Sequence, residues 1–162
     1  MFSDRRKHRK FKKRFKNLLP KEINILPEVH SKEFRAKISR IIDGDTIEIV
    51  FLYGEKVPMK ICIRIVGVDT PEKRTKNLLE KQAALKVKEI VENWIGSNKV
   101  KAVFYDWDKF GGRVVGDIIV KDKYLSEFLI NNQYAHVYTG KNKKIPFTDE
   151  ELEYILSSGN FV

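Results

Sequence analysis

Residues 34–53, FRAKISRIIDGDTIEIVFLY, hold two strand-type runs separated only by Asp43, Gly44 and Asp45. So short a break between two such runs is a hairpin signal, and it commits the start of the folded chain to an antiparallel sheet. Gly54 to Lys56 turn the chain again, into a third strand, VPMKICIRIVGV. From Lys76 the apolar period becomes helical: Leu79, Ala83, Val87, Ile90 and Trp94 share one face, Lys81, Lys88 and Glu92 lie off it, and Gly96 ends the run. Two more strands, 99–107 and 113–120, precede a short helix at 124–132. Thr148 to Glu151 match a capping box that opens a last helix through Leu156, closed by Gly159. This order predicts an α+β domain, a five-stranded OB-like β-barrel with about three helices.

A chain of 162 residues is long enough for one well-buried core. It contains no apolar run near the roughly 20 residues that a membrane-spanning helix needs, and no apolar segment of secretory length follows the basic N-terminus. Cys62 is the single cysteine and has no internal partner, which favours an intracellular, reducing setting. A monomer is expected.

Charge is concentrated at one end. Arg5, Arg6, Lys7, Arg9, Lys10, Lys12, Lys13, Arg14 and Lys16 face a single acid, Asp4, so the first 20 residues carry +8 of the net +10. Residues 1–33 therefore read as a disordered basic arm and linker, and 34–162 as the folded domain. The natural partner of such an arm is a polyphosphate, DNA or RNA, bound through salt-dependent counterion release. A solvated tail, a targeting signal, or contact with an anionic membrane through Phe11, Phe15, Leu18 and Leu19 are the other readings.

His8, His30, His136 and Cys62 are scattered without metal-ligand spacing, which argues against a zinc site and against a Cys–His nucleophile pair. What the sequence offers is oxygen. Asp45 leaves the first turn and Asp69 leaves the third strand, so if strands two and three are neighbours the two carboxylates meet at one sheet edge. With a carbonyl such as that of Thr70 and several waters, they suit Ca²⁺ or Mg²⁺. Glu72 is then placed to take a proton from water, and Arg64 and Arg113 to hold a phosphate by paired hydrogen bonds. Each residue also has a plainer reading: Asp43 and Gly44 as a turn, Glu72 as a helix-start acid, Arg64 as half of an ion pair. Tyr105 and Trp107 read as core more readily than as base-stacking surfaces, and Cys62 as a small buried hydrophobe.

The strings IDGDT (42–46), RIVGVDTPE (64–72), QAALKVKEIVEN and DKFGGRVVGDI (108–118) resemble, in order and spacing, the staphylococcal-nuclease-like or thermonuclease family, over about residues 35–140. The resemblance implies an OB-like barrel and a calcium-dependent phosphodiesterase in which water attacks the phosphorus of DNA or RNA, releasing the 5′ oxygen and leaving a 3′ phosphate. It assigns Asp45, Asp69 and the Thr70 carbonyl to calcium, Glu72 to the general base, Arg64 and Arg113 to the phosphate, and Asp43 to the outer shell. Lys109 and Tyr138 are further candidate nucleic-acid contacts. The chain departs from the family where Phe110, Gly111 and Gly112 precede Arg113 in place of Tyr-Gly, and where a single tyrosine, Tyr138, stands in the AHVYTGKNK segment. The longer segment at Tyr53–Val57 is expected to extend a loop near the active-site mouth. A non-catalytic OB-fold module that binds nucleic acid is the competing function, but such a module has no need of the full set of acids and arginines.

Overall fold

The structure, a computed structural model, describes residues 30–54, 56–108, 112–141 and 144–159. The basic residues of the arm (Arg5, Arg6, Lys7, Arg9, Lys10, Lys12, Lys13, Arg14 and Lys16) and Lys109 lie outside them. The elements run β1 (Glu33–Asp43), β2 (Thr46–Tyr53), β3 (Val57–Ile65), β4 (Val68–Asp69), α1 (Leu78–Ile95), β5 (Val100–Trp107), β6 (Arg113–Val120), β7 (Lys123–Tyr124), α2 (Leu125–Asn131), β8 (His136–Val137) and α3 (Asp149–Ser157).

The five long strands form the barrel. They are ordered β3-β2-β1-β5-β6, and a parallel pairing of β3 with β6, Cys62↔Arg113 to Ile65↔Gly116, closes the ring. β1 serves both of its neighbours by changing partner along its length: Glu33–Ala36 pair with β5, while Ala36–Asp43 pair with β2 through two register shifts. Such irregularities bend a strand and increase its twist, as closure of a small barrel requires. Alternation supplies the core, with Ile47, Ile49 and Phe51 of β2 and Ile63 and Ile65 of β3 buried. Phe51 and Phe104 meet inside it and the half-buried Phe34 packs on both, with ring centroids 5.0–5.4 Å apart. Gly116 admits no side chain, because a Cβ there would lie 2.3 Å from the Val103 carbonyl oxygen.

The amphipathic α1 buries Ala83, Ala84, Val87, Ile90, Val91 and Ile95. Asn77 starts it by accepting hydrogen bonds from the Leu79 and Glu80 amides, and the Gly96 N–H ends it on the Glu92 carbonyl. Leu152 and Ile155 of α3 join the same core, and α3 opens with the expected Thr148–Glu151 capping box but closes at Ser158, one residue before Gly159. Among the described residues no helix is long and apolar enough to cross a membrane.

The third strand departs from the sequence expectation. It stops at Ile65, not Val68, because Gly67 takes φ 73° and turns the chain. Val68 and Asp69 then form a separate ladder with β8, Val68↔Val137 and Asp69↔His136. Asp69 is thus fixed by backbone pairing to a segment far away in sequence, rather than as the end of β3.

Candidate active site

The β1–β2 turn is held under α1. A Cβ on Gly44 would lie 2.5 Å from Val87 Cγ1 and 3.2 Å from the Thr70 methyl, so only glycine lets helix, turn and the 69–72 segment meet. That close approach seats Asp45 beside Thr70, whose amide and hydroxyl both donate to Asp45 Oδ2, at 3.3 and 3.0 Å. Thr46 donates to the other oxygen at 3.0 Å. In the β2–β3 ladder Thr46 stands opposite Arg64, and the Asp45 carbonyl accepts from the Ile65 amide at 2.8 Å.

Arg64 therefore rises next to Asp45. Its guanidinium pairs with Asp45 Oδ2 and reaches Asp69 Oδ1 at 3.3 Å and the Val68 carbonyl at 3.2 Å. One guanidinium spans both carboxylates, so the two acids do converge, although Asp69 arrives by way of β4. All three are largely shielded: the Asp45, Asp69 and Arg64 side chains are 10%, 7% and 17% exposed. Burial lowers the Arg64 pKa from its ordinary value; the Asp69 charge opposes this, and the nearby Arg113 charge adds to the lowering.

The 69–73 segment is tied down along its length. The Glu72 amide donates to Glu80 Oε1 at 3.1 Å, and Lys73 Nζ reaches the Ile42 carbonyl at 3.1 Å and Asp43 Oδ1 at 2.7 Å. Glu72 itself stands more than half exposed at the rim, where Lys144 Nζ lies 2.8 Å from its Oε1 and 2.7 Å from Asp69 Oδ1. Burial weakens the Lys144 ammonium, but its hydrogen bonds to Asp69 and Glu72 prevail and raise its pKa above the ordinary value. Arg113, the first residue of β6, is held by Asp108, with Nε 2.7 Å from Oδ2. Asp43, Asp45, Arg64, Thr70, Glu72, Arg113, Tyr138 and Lys144 line one open cavity of about 800 Å³.

The candidates that fall among the described residues, Asp43, Asp45, Arg64, Asp69, Thr70, Glu72, Arg113 and Tyr138, thus gather at a single rim. The Tyr53–Val57 turn does not: Thr46↔Arg64 and Tyr53↔Val57 are opposite ends of the β2–β3 ladder, roughly 20 Å apart at about 3.3 Å per residue. Trp107 packs half-buried against the core, and its buried Nε1 has no hydrogen-bond partner among the described residues. Lys73 and Lys144 have no signal in the sequence, because each is paired with a site residue only by the fold; Asp108 lies in the DKFGGRVVGDI string, but its pairing with Arg113 shows only in the structure.

Two shielded carboxylates within one guanidinium's span, one of them already drawing a second cation from Lys144, suit a hard cation. Among the described residues no group of three or more His, Cys, Asp or Glu side chains converges as a metal cluster. A divalent ion here would rest on Asp45 and Asp69, with carbonyl oxygen and water completing its shell.

Fold and rim together define an OB-type barrel with a carboxylate–guanidinium cleft beside its closing strand pair. The sequence matches the family described as staphylococcal nuclease homologue over residues 62–156, and the chain belongs to that family. It is similar to two proteins of Oryza sativa subsp. japonica, the probable staphylococcal-like nucleases CAN2 and CAN3, with 34% identity to each over 99 residues. Those residues are 61% of this chain but 25% and 24% of the two relatives, so the chain spans about a quarter of their length.

Proposed function

We propose that this chain is a calcium-dependent nuclease that hydrolyses phosphodiester bonds of DNA or RNA and leaves 3′-phosphate ends. The observation that carries this reading is the convergence of Asp45 and Asp69 on Arg64, with Thr70 behind them and Glu72 in front. Asp45, Asp69 and the Thr70 carbonyl would hold Ca²⁺, with Asp43 in the outer shell. When bound, the ion supplies Lewis-acid polarisation of a phosphoryl oxygen and a place for water. Glu72, exposed to the cavity, takes the proton of the attacking water. Arg64 and Arg113 hold the non-bridging oxygens by N–H donors and meet the charge that grows on them as the 5′ oxygen leaves. Tyr138, on the cavity wall, is a further substrate contact, and Lys109 is carried as a candidate contact from the sequence alone.

Purified protein incubated with DNA and with RNA, in Ca²⁺, Mg²⁺ or chelator, tests the reading. Cleavage in Ca²⁺, its loss with chelator and 3′-phosphate product ends are expected. Salt-sensitive binding without cleavage under any condition would replace this reading with the non-catalytic binding module.

In the same proposal residues 1–33 are a nucleic-acid-binding arm and 34–162 the catalytic domain. Removal of residues 1–20 is expected to flatten the salt dependence of binding, by about 0.9 in log–log slope for each phosphate that the arm neutralises. Low-salt cleavage should persist. Binding titrations at several salt concentrations check this, and an unchanged slope assigns the arm to targeting or membrane contact.

A further inference from the structure

Lys144 touches the site more intimately than a surface lysine has reason to. Its ammonium lies 2.7 Å from Asp69 Oδ1 and 2.8 Å from Glu72 Oε1, so it sits between the two acids rather than on one of them. Both distances are those of charge-assisted hydrogen bonds. Asp69 Oδ1 is also the atom that Arg64 approaches. One carboxylate oxygen thus serves two cations.

The backbone under Lys144 is built to aim it. The next residue, Ile145, has its carbonyl 3.2 Å from His136 Nδ1, and the same imidazole stacks on Phe147 at 3.9 Å and reaches Glu151 through Nε2 at 2.9 Å. His136 is in turn the residue paired with Asp69 between β8 and β4. A single strand pair therefore sets the position of both the carboxylate and the lysine that binds it.

We propose that Lys144 is an internal counter-cation of the metal site: its ammonium holds Asp69 and Glu72 together and must leave before a divalent ion can take Asp69. The inference rests on the proposed assignment of Asp69 to calcium. An ammonium and a divalent cation repel and compete for the same oxygen, so the seated lysine reduces the fraction of molecules competent to bind. If the ammonium is seated in about 80–90% of molecules, the apparent calcium affinity falls about five- to tenfold, in inverse proportion to the competent fraction. Lys144 thereby sets the calcium concentration at which the cleft loads, without touching the intrinsic chemistry of the ligands.

Calorimetric titration of the full chain with CaCl₂, without nucleic acid and at fixed ionic strength, reads this directly. Lys144→Met is expected to tighten calcium binding about five- to tenfold, whereas Lys144→Arg stays nearer the wild-type value. Lys141→Met, which removes an equal charge from the same cavity wall, should shift affinity less than about twofold. Equal affinity in wild type and Lys144→Met overturns the proposal, and equal tightening by Lys141→Met overturns it in favour of a diffuse field. Should the variants fold poorly, NMR of the wild-type lysine side chains decides: the Lys144 signal moves in step with calcium occupancy, or the proposal fails. A wild type that binds no calcium at all overturns the metal assignment itself, an outcome distinct from calcium binding that ignores Lys144.

Discussion

Glu72→Gln is expected to slow phosphodiester cleavage by about 10²- to 10⁴-fold, the usual cost of losing a positioned general base. The loss should be confined to chemistry. The Glu72 side chain is more than half exposed, its carboxylate pairs with Lys144, and the segment beneath it is held by the Glu72 amide, which donates to the Glu80 carboxylate. Glutamine keeps the shape and an oxygen that can accept from the Lys144 ammonium, so thermal stability should change by less than about 0.5 kcal/mol, as for most surface substitutions. Single-turnover cleavage of a short oligonucleotide at saturating calcium separates the chemical step from binding. A variant as fast as the wild type would move the proton acceptor elsewhere on the rim, with Asp43 a candidate that is partly open to solvent.

Which parts of this cleft can be read in advance follows from how each residue is placed. Asp45 and Arg64 are legible because a hairpin is local: once residues 43–45 make a turn, period-two alternation and antiparallel pairing put Thr46 opposite Arg64. The helix is legible for the same reason, since Val87 and Ile90 follow the helical period and need no knowledge of what they cover. Asp69 reaches the expected rim by an unexpected route. An apolar run through Val66 and Val68 has no break in pattern, and only the positive φ of Gly67 and the remote partner His136 create the separate β4 ladder. Lys144 is out of reach altogether. In a lysine-rich segment every ammonium reads as solvated, and its two carboxylates lie far upstream in the chain. Pairing across such separations is a property of barrel closure and of the β4–β8 ladder, neither of which leaves a local pattern.

Arg64→Met is expected to damage stability and catalysis in ways that calcium can tell apart. Removing one partner of a shielded ion pair typically costs about 3–5 kcal/mol, because the remaining charges are left uncompensated. Here Lys144 still neutralises part of Asp69, and methionine keeps the apolar length of the arginine stem, so the cost should fall near the lower end of that range. Asp45 bears most of it, since its carboxylate keeps the Thr46 and Thr70 hydrogen bonds but is deprived of the guanidinium. A divalent ion on Asp45 and Asp69, as proposed, would supply the missing charge. Calcium at about a hundred times its dissociation constant adds about 2.7 kcal/mol to any protein that binds it only when folded. At a given calcium concentration the variant should gain more than the wild type, because its carboxylates no longer have the guanidinium as a competitor. Thermal melts with and without CaCl₂ check this, and equal gains in both proteins would show that Arg64 and the ion do not share these oxygens. Cleavage responds differently. In the proposed reaction the guanidinium that would steady the phosphate is gone whatever the ion does, so a deficit of about 10²- to 10³-fold, typical of losing one preorganised donor, should persist at saturating calcium. Restored stability beside an unrestored rate would separate the two tasks of one arginine: neutralising the acids within the protein, and holding the phosphate during the reaction.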